Sequence, residues 1–202
     1  MNLPRVYPIV DSAAWVRRLA PLGVRLLQLR IKDQPEGVVF AQILEAQACC
    51  AGSGAQLIVN DYWHLALRAG CDFVHLGQGD LDGADLKALR RAGVRVGIST
   101  HDDGELERAL ELEPDYVALG PVYPTLLKVM PWPPQGLARV GEWKRRVGAR
   151  PLVAIGGLTL ERLPGVFAAG ADVAAVVTDI LRDARPELRT RQWLDAAAAV
   201  AA

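Results

Sequence analysis

The sequence predicts an α/β fold, a single-domain (β/α)8 TIM barrel spanning residues 1–202. Three observations lead there. Eight short apolar runs alternate with eight longer stretches of helical character, with few residues left over. The runs recur at intervals of roughly 20–30 residues, which suits parallel βαβ crossovers. No Gly-x-Gly-x-x-Gly follows the first run, which argues against the open doubly wound sheet that is the alternative.

Taken in order, Val6–Val10 is a first strand, and Asp11 and Ser12 are placed to cap the next helix. That helix ends near Pro21-Leu-Gly23, and Val24–Leu29 is the second strand. A helix over Pro35–Cys50 stops at Gly52-Ser-Gly54, before the third strand, Gln56–Val59. Tyr62–Ala69 is helical with Gly70 as its C-cap, and Phe73–Leu76 is the fourth strand. A helix over Asp82–Ala92 leads to the fifth strand, Val94–Ile98, and a helix over His101–Glu111 to the sixth, Tyr116–Leu119. A Pro-rich loop from Gly120 to Gln135 follows, the one long irregular segment. On the catalytic face of a barrel such a loop is usually functional. Leu137–Val147 is helical, Leu152–Ile155 is the seventh strand, Leu160–Ala168 is helical, Val173–Val177 is the eighth strand, and Pro186–Val200 is the last helix.

Composition narrows the function. The 23 Lys and Arg residues balance 23 Asp and Glu, so no global field calls for nucleic acid or a membrane, and any anion site must be local. Cys49, Cys50 and Cys71 include no Cys-x-x-Cys pair and read as small apolar filler, which fits a reducing cytoplasm. Pro4, Arg5 and Asp11 interrupt the first apolar stretch, so it is not read as a signal peptide. The oligomeric state is not encoded in any of these features.

In a barrel of this type, function is read from the C-terminal ends of the strands. The second strand ends in Gln28-Leu-Arg30-Ile-Lys32, and alternation puts Gln28, Arg30 and Lys32 on one side. Arg offers a forked donor set for phosphate and Lys a point charge; the competing reading is a surface-exposed basic pair. The third strand ends in Asn60 and Asp61; the fourth carries His75, Gln78 and Asp80. Parallel strands would bring Asp61 and Asp80 to one cleft, where two carboxylates suit Mg²⁺ and, with it, a phosphorylated substrate. Helix capping is the competing reading for each. His75, inside an apolar run, reads as a satisfied core histidine. Ser99 closes the fifth strand. Thr125 and Lys128 would bind an anion if the long loop folds over the mouth; otherwise Lys128 is a solvated side chain. Gly156-Gly157 and Val177-Thr178 close the last two strands, where barrels commonly bind phosphate, although Gly-Gly also makes a tight turn. Trp132 either covers the site or packs elsewhere. No nucleophile elbow and no Gly-x-x-x-x-Gly-Lys-Ser/Thr loop is present, so the inventory is electrostatic.

Together these strand ends resemble the thiamine-phosphate synthase family. The matching pieces are Gln28-Leu-Arg-Ile-Lys32, Val59-Asn-Asp61, Val74-His-Leu-Gly-Gln-Gly-Asp80, Gly97-Ile-Ser-Thr-His101, Asp115-Tyr-Val-Ala-Leu-Gly-Pro121, Pro124-Thr-Leu-Leu-Lys128, Val153-Ala-Ile-Gly-Gly157 and Gly170 to Thr178. They occur in the family's order over nearly the whole chain. The resemblance implies an enzyme joining 4-amino-5-hydroxymethyl-2-methylpyrimidine diphosphate to a thiazole phosphate. It implies Mg²⁺ on Asp61 and Asp80, and diphosphate on Arg30, Lys32, Asn60, Ser99 and Lys128. Gln28 would orient the pyrimidine, and Thr125, Gly157, Val177 and Thr178 would surround the thiazole phosphate. The family's loop reads Pro-Thr-x-Thr-Lys, whereas Leu127 stands here for the second Thr. Losing that hydroxyl costs about 1–3 kcal/mol if nothing replaces it. Two other readings compete: a related thiazole tautomerase, which tends to carry His near Gly120-Pro121, and a non-catalytic phosphate-binding barrel.

Overall fold

The eight apolar runs form eight parallel strands, and strand pairing closes the ring. In the computed structural model, which describes residues 2–125 and 132–200, the strands are β1 (Val6–Val10), β2 (Leu26–Leu29), β3 (Gln56–Asn60), β4 (Phe73–Leu76), β5 (Arg95–Thr100), β6 (Tyr116–Leu119), β7 (Leu152–Ile155) and β8 (Val173–Val176). Each pairs with the next in sequence order, and β8 returns to β1 through Val6 opposite Ala174 and Tyr7 opposite Ala175. The chain is therefore a (β/α)8 barrel, as its alternation predicts.

Alternation along each strand separates two cores. Tyr7, Ile9, Leu26, Ile58, Phe73 and Tyr116 belong to a cluster that fills the barrel interior. Their neighbours Val6, Val10, Leu27, Leu57, Val59 and Val74 belong to the layer between strands and helices. The same alternation turns Gln28, Asn60 and His75 inward, at exposures of 2%, 4% and 7%. They sit one pleat beyond the apolar Leu26, Ile58 and Phe73, so the barrel lining changes from apolar to polar toward the C-terminal rim.

The helices that cover the barrel are α1 (Ala13–Leu19), α2 (Glu36–Ser53), α3 (Trp63–Ala69), α4 (Gln78–Leu81), α5 (Leu86–Arg91), α6 (Asp103–Glu111), α7 (Gly136–Val147), α8 (Leu163–Ala168), α9 (Thr178–Leu181) and α10 (Pro186–Ala199). Ser12 occupies the cap position of α1 but makes no side-chain cap bond; Gln42 of α2 accepts the Ala13 amide at 2.7 Å instead. The helix expected over Asp82–Ala92 is shorter, Leu86–Arg91, because Asp85 caps its start by accepting the Ala88 amide at 2.8 Å; the short α4 ahead of it was not expected. The helix expected over Leu160–Ala168 opens with a 3₁₀ turn, Leu160–Arg162, ahead of Pro164. Helix α9 was not expected at all: four residues are too few to show a helical period.

One packing constraint runs through the interior. A Cβ on Gly97 would lie 2.1 Å from Cζ of Tyr116, its neighbour on β6. The tyrosine ring thus occupies the space a side chain at position 97 would need. Gly97→Ala is expected to destabilise the protein by about 1–3 kcal/mol through overpacking, measured by urea denaturation. An unchanged midpoint would show that the ring can yield.

Candidate active site

The polar rim opens into a cavity of about 760 Å³. Arg30, Lys32, Asn60, Asp61, Asp80 and Ser99 line one part of it. Thr125, Gly157, Val177 and Thr178 line another. Ten of the sequence-predicted positions are thus brought to one mouth by strands that are far apart in sequence. Gln28 is not among the lining residues: it lies beneath the floor, where its Nε2 donates to the Tyr7 hydroxyl at 2.8 Å. Lys128 and Leu127 fall outside the described residues.

The acidic pair is held by backbone geometry. Asp61 adopts a left-handed conformation, φ 61°, which aspartate tolerates better than most residues. Its amide bonds to the His75 carbonyl at 2.9 Å, tying the end of β3 to β4. Helix α3 begins with Tyr62 at its cap position, so Asp61 is not the helix cap. Its carboxylate instead pairs with the Lys32 ammonium. Asp80, on α4, accepts the Gly77 amide at 3.1 Å, so helix capping holds part of its carboxylate. Partial burial pushes the Asp80 pKa up, and the nearby Asp61 carboxylate pushes it further in the same direction. Two carboxylates converge here, and like charges so placed favour a bound cation. Among the described residues no group of three or more His, Cys, Asp and Glu side chains is arranged to hold a metal. The protein's own share of any cation site is this pair. That donor set fits Mg²⁺, which commonly takes one or two carboxylates and completes its shell with water and phosphate oxygens.

The floor is a line of hydrogen bonds. Beyond Gln28, the Tyr7 and Tyr116 hydroxyls are 3.0 Å apart, Tyr116 lies 2.7 Å from His75 Nδ1, and His75 Nε2 lies 2.7 Å from Ser99 Oγ. His75 is therefore the satisfied core histidine expected, and it also lines the cavity. Burial lowers its pKa to about 4, with the Arg30 and His101 charges acting in the same sense and Asp61 against them.

On the opposite side, two loops run together past the strand ends. Val122 donates to the Ile155 carbonyl at 2.8 Å and Tyr123 to the Gly156 carbonyl at 3.0 Å. A Cβ on Gly157 would lie 2.4 Å from the Pro124 carbonyl oxygen. Gly157 therefore serves this close approach as well as the left-handed turn at φ 63°. Beside it, α9 is clasped by α10. Asp179 accepts two bonds from the Arg189 guanidinium, each 2.9 Å, and one from Trp193 Nε1 at 2.6 Å. A short extra helix after the eighth strand is a recurrent phosphate-binding element of such barrels.

Sequence reasoning missed part of the lining. Trp15, Leu181 and Arg182 reach the cavity from α1 and the α9 region, and none stands in a strand-end motif; Asp11, read only as a helix cap, lines it from the end of β1. His101 lines it too, and Trp132 stacks on His101 with ring centroids 3.9 Å apart. That contact places Trp132 at the mouth. Glu105 holds the other side of the His101 ring, accepting from its backbone amide and meeting Nδ1, both at 2.7 Å.

Fold and cavity define a TIM-barrel protein whose mouth gathers carboxylates, cations and glycine-lined loops, the equipment of an enzyme for phosphorylated small molecules. Comparison with known proteins gives the family. The family model for thiamine monophosphate synthase matches residues 6–180. A thiamine-phosphate synthase of Rhizobium etli is 63% identical over 198 residues, covering 98% of this chain and 97% of that protein. One from Salmonella newport is 48% identical over 192 residues, covering 95% and 91%. The solved thiamine phosphate pyrophosphorylase of Pyrococcus furiosus superposes with a TM-score of 0.87 at 23% identity, covering 98% and 97%, a likeness of fold. The chain belongs to the thiamine monophosphate synthase family, a family of transferases.

The buried histidine has a consequence for stability. Its folded pKa, about 4, lies below the ordinary 6.5, so between these values the unfolded chain takes up a proton that the folded protein refuses. Its contribution is fully present above the ordinary value and is lost as the pH falls toward the folded one. Between about pH 7 and pH 5 the loss from this group is about 2 kcal/mol. Urea denaturation at the two pH values should show a smaller acid-induced loss in His75→Gln than in the wild type. Equal losses would show that His75 does not carry the effect.

Proposed function

We propose that the chain joins 4-amino-5-hydroxymethyl-2-methylpyrimidine diphosphate to 4-methyl-5-(2-phosphoethyl)thiazole, forming thiamine phosphate and releasing diphosphate. The carrying observation is that Asp61, Asp80, Arg30 and Lys32 line one wall of one cavity, with Gly157, Val177 and Thr178 also in its lining. A site built this way stabilises a departing anion and positions a second phosphorylated partner.

In this reading Asp61 and Asp80 hold Mg²⁺, which when bound neutralises charge on the diphosphate. Arg30, Lys32, Asn60 and Ser99 bind the diphosphate, and so does Lys128 of the long loop. Lys32 is suited to this work because its ion pair with Asp61 is half exposed, so solvent and ligand can compete for it. Gln28 supports the pyrimidine side from below the floor. Thr125, Gly157, Val177 and Thr178 hold the thiazole phosphate. The carbon–oxygen bond to diphosphate breaks first, and the thiazole nitrogen then bonds to the pyrimidine methylene carbon. The electron pair of the broken bond leaves with the diphosphate. Trp132 and His101 close the mouth toward solvent.

The Ser99–His75 contact also matches half of a nucleophile–base pair. A histidine whose pKa is pushed down to about 4 is a weak base at neutral pH, which favours a binding role for Ser99 over a nucleophilic one. Among the described residues no helix is long and apolar enough to cross a membrane.

Purified protein with both substrates and Mg²⁺ is expected to make thiamine phosphate and diphosphate in equal amounts, followed by chromatography. Isomerisation of the thiazole without coupling would point to a tautomerase, and tight binding without either reaction to a binding barrel. Asp80→Ala should lower kcat at least about 100-fold while thermal melting stays cooperative. Wild-type turnover in that variant would remove Asp80 from the metal pair.

A further inference from the structure

We infer that Tyr7 and Tyr116 are positioning residues: a one-directional line of hydrogen bonds from Gln28 across the barrel aims the Ser99 hydroxyl hydrogen into the cavity. The inference rests on the reading above only for the identity of the anion that Ser99 meets. The line itself is a matter of counting hydrogens.

Gln28 Nε2 is a donor only, and it faces the Tyr7 hydroxyl at 2.8 Å. Tyr7 is 1% exposed, and among the described residues its other side-chain hydrogen-bond partner is the Tyr116 hydroxyl at 3.0 Å. Having accepted from Gln28, Tyr7 must donate to Tyr116, or its hydrogen is buried without an acceptor. Tyr116 is fully buried, and its next contact is His75 Nδ1 at 2.7 Å, so its hydrogen goes there. A neutral imidazole that accepts at Nδ1 carries its hydrogen on Nε2. Nε2 faces Ser99 Oγ at 2.7 Å and donates to it. The serine, which lines the cavity, is left with its own hydrogen for the ligand. Run the other way, the line would leave the serine oxygen lone pairs facing an anion.

The packing holds this line in place. The His75 and Tyr116 rings are near parallel, 12° apart at 5.6 Å, and Tyr7 meets Tyr116 edge-on at 6.1 Å. Gly97 leaves the room in which the Tyr116 ring sits. Gln78 Nε2 donates to the Ser99 carbonyl at 2.8 Å and fixes the serine backbone. Burial pushes both phenol pKa values up, so both hydroxyls keep their hydrogens at neutral pH.

Two measurements test the line. Nitrogen-15 spectra of the ligand-free protein report which ring nitrogen of a histidine carries hydrogen. The chain has three histidines, so His64→Gln and His101→Gln assign His75. The expected result is hydrogen on Nε2 in the wild type and a mixture of tautomers in Tyr116→Phe. Hydrogen on Nδ1 in the wild type overturns the inference. The second measurement is calorimetric binding of inorganic diphosphate with Mg²⁺. Tyr116→Phe should weaken binding about tenfold, yet less than twofold in a Ser99→Ala background. The same tenfold loss in both backgrounds marks a merely structural role and overturns the inference. Should Tyr116→Phe fail to fold, Tyr7→Phe enters both measurements with the same expectations. If the wild type binds no diphosphate, the reading of the site fails, and the tautomer alone decides the line.

Discussion

A closed ring of eight parallel strands has two rims and no edge, and every strand ends on the same rim. That constraint does most of the work in this protein. It gathers side chains from eight distant stretches without any of those stretches touching in sequence. It also limits the interior to a fixed volume, so a large ring such as Tyr116 enters only where Gly97 gives way. The polar layer of Gln28, Asn60 and His75 is tolerable for the same reason. It lies at the end of an apolar column, next to a cavity that supplies partners for polar groups.

The charges at the mouth are balanced locally. Burial and the Asp61 carboxylate disfavour ionisation of Asp80, and the Lys32 ammonium acts against them. The Lys32–Asp61 ion pair is too exposed to add much stability, and its value lies in keeping a cation beside two carboxylates. The left-handed backbone at Asp61 has a similar meaning. A residue at the end of β3 is turned toward its neighbour on α4 instead of capping the helix that follows.

Much of this was legible in the residues. The bounds of β1, β4, β6 and β7 follow directly from their apolar runs, because strands covered on both faces carry few polar residues to blur them. Asn60, Asp61, Asp80, Arg30 and Ser99 stood out because a polar side chain at or just past the end of an apolar strand has few other places to go. The rest was hidden for definite reasons. Tyr7 and Tyr116 sit inside apolar runs and look like filler until the barrel brings their hydroxyls together. Trp15 and Arg182 reach the mouth from helical segments, where nothing in the strand pattern points at them. The Asp82–Ala92 stretch has the composition of one helix, and only the capping bond of Asp85 shows that it starts as late as Leu86.

The clasp between Asp179 and α10 ties the finished mouth to the far end of the chain. Residues near position 180 border the cavity, yet what holds them there is contributed by Arg189 and Trp193. On a ribosome, where domains form as the chain emerges, all eight strands are made before that anchor exists. The binding face is therefore completed by residues made after the whole sheet. A ligand that leans on α9 therefore meets a fully braced wall only once α10 has docked.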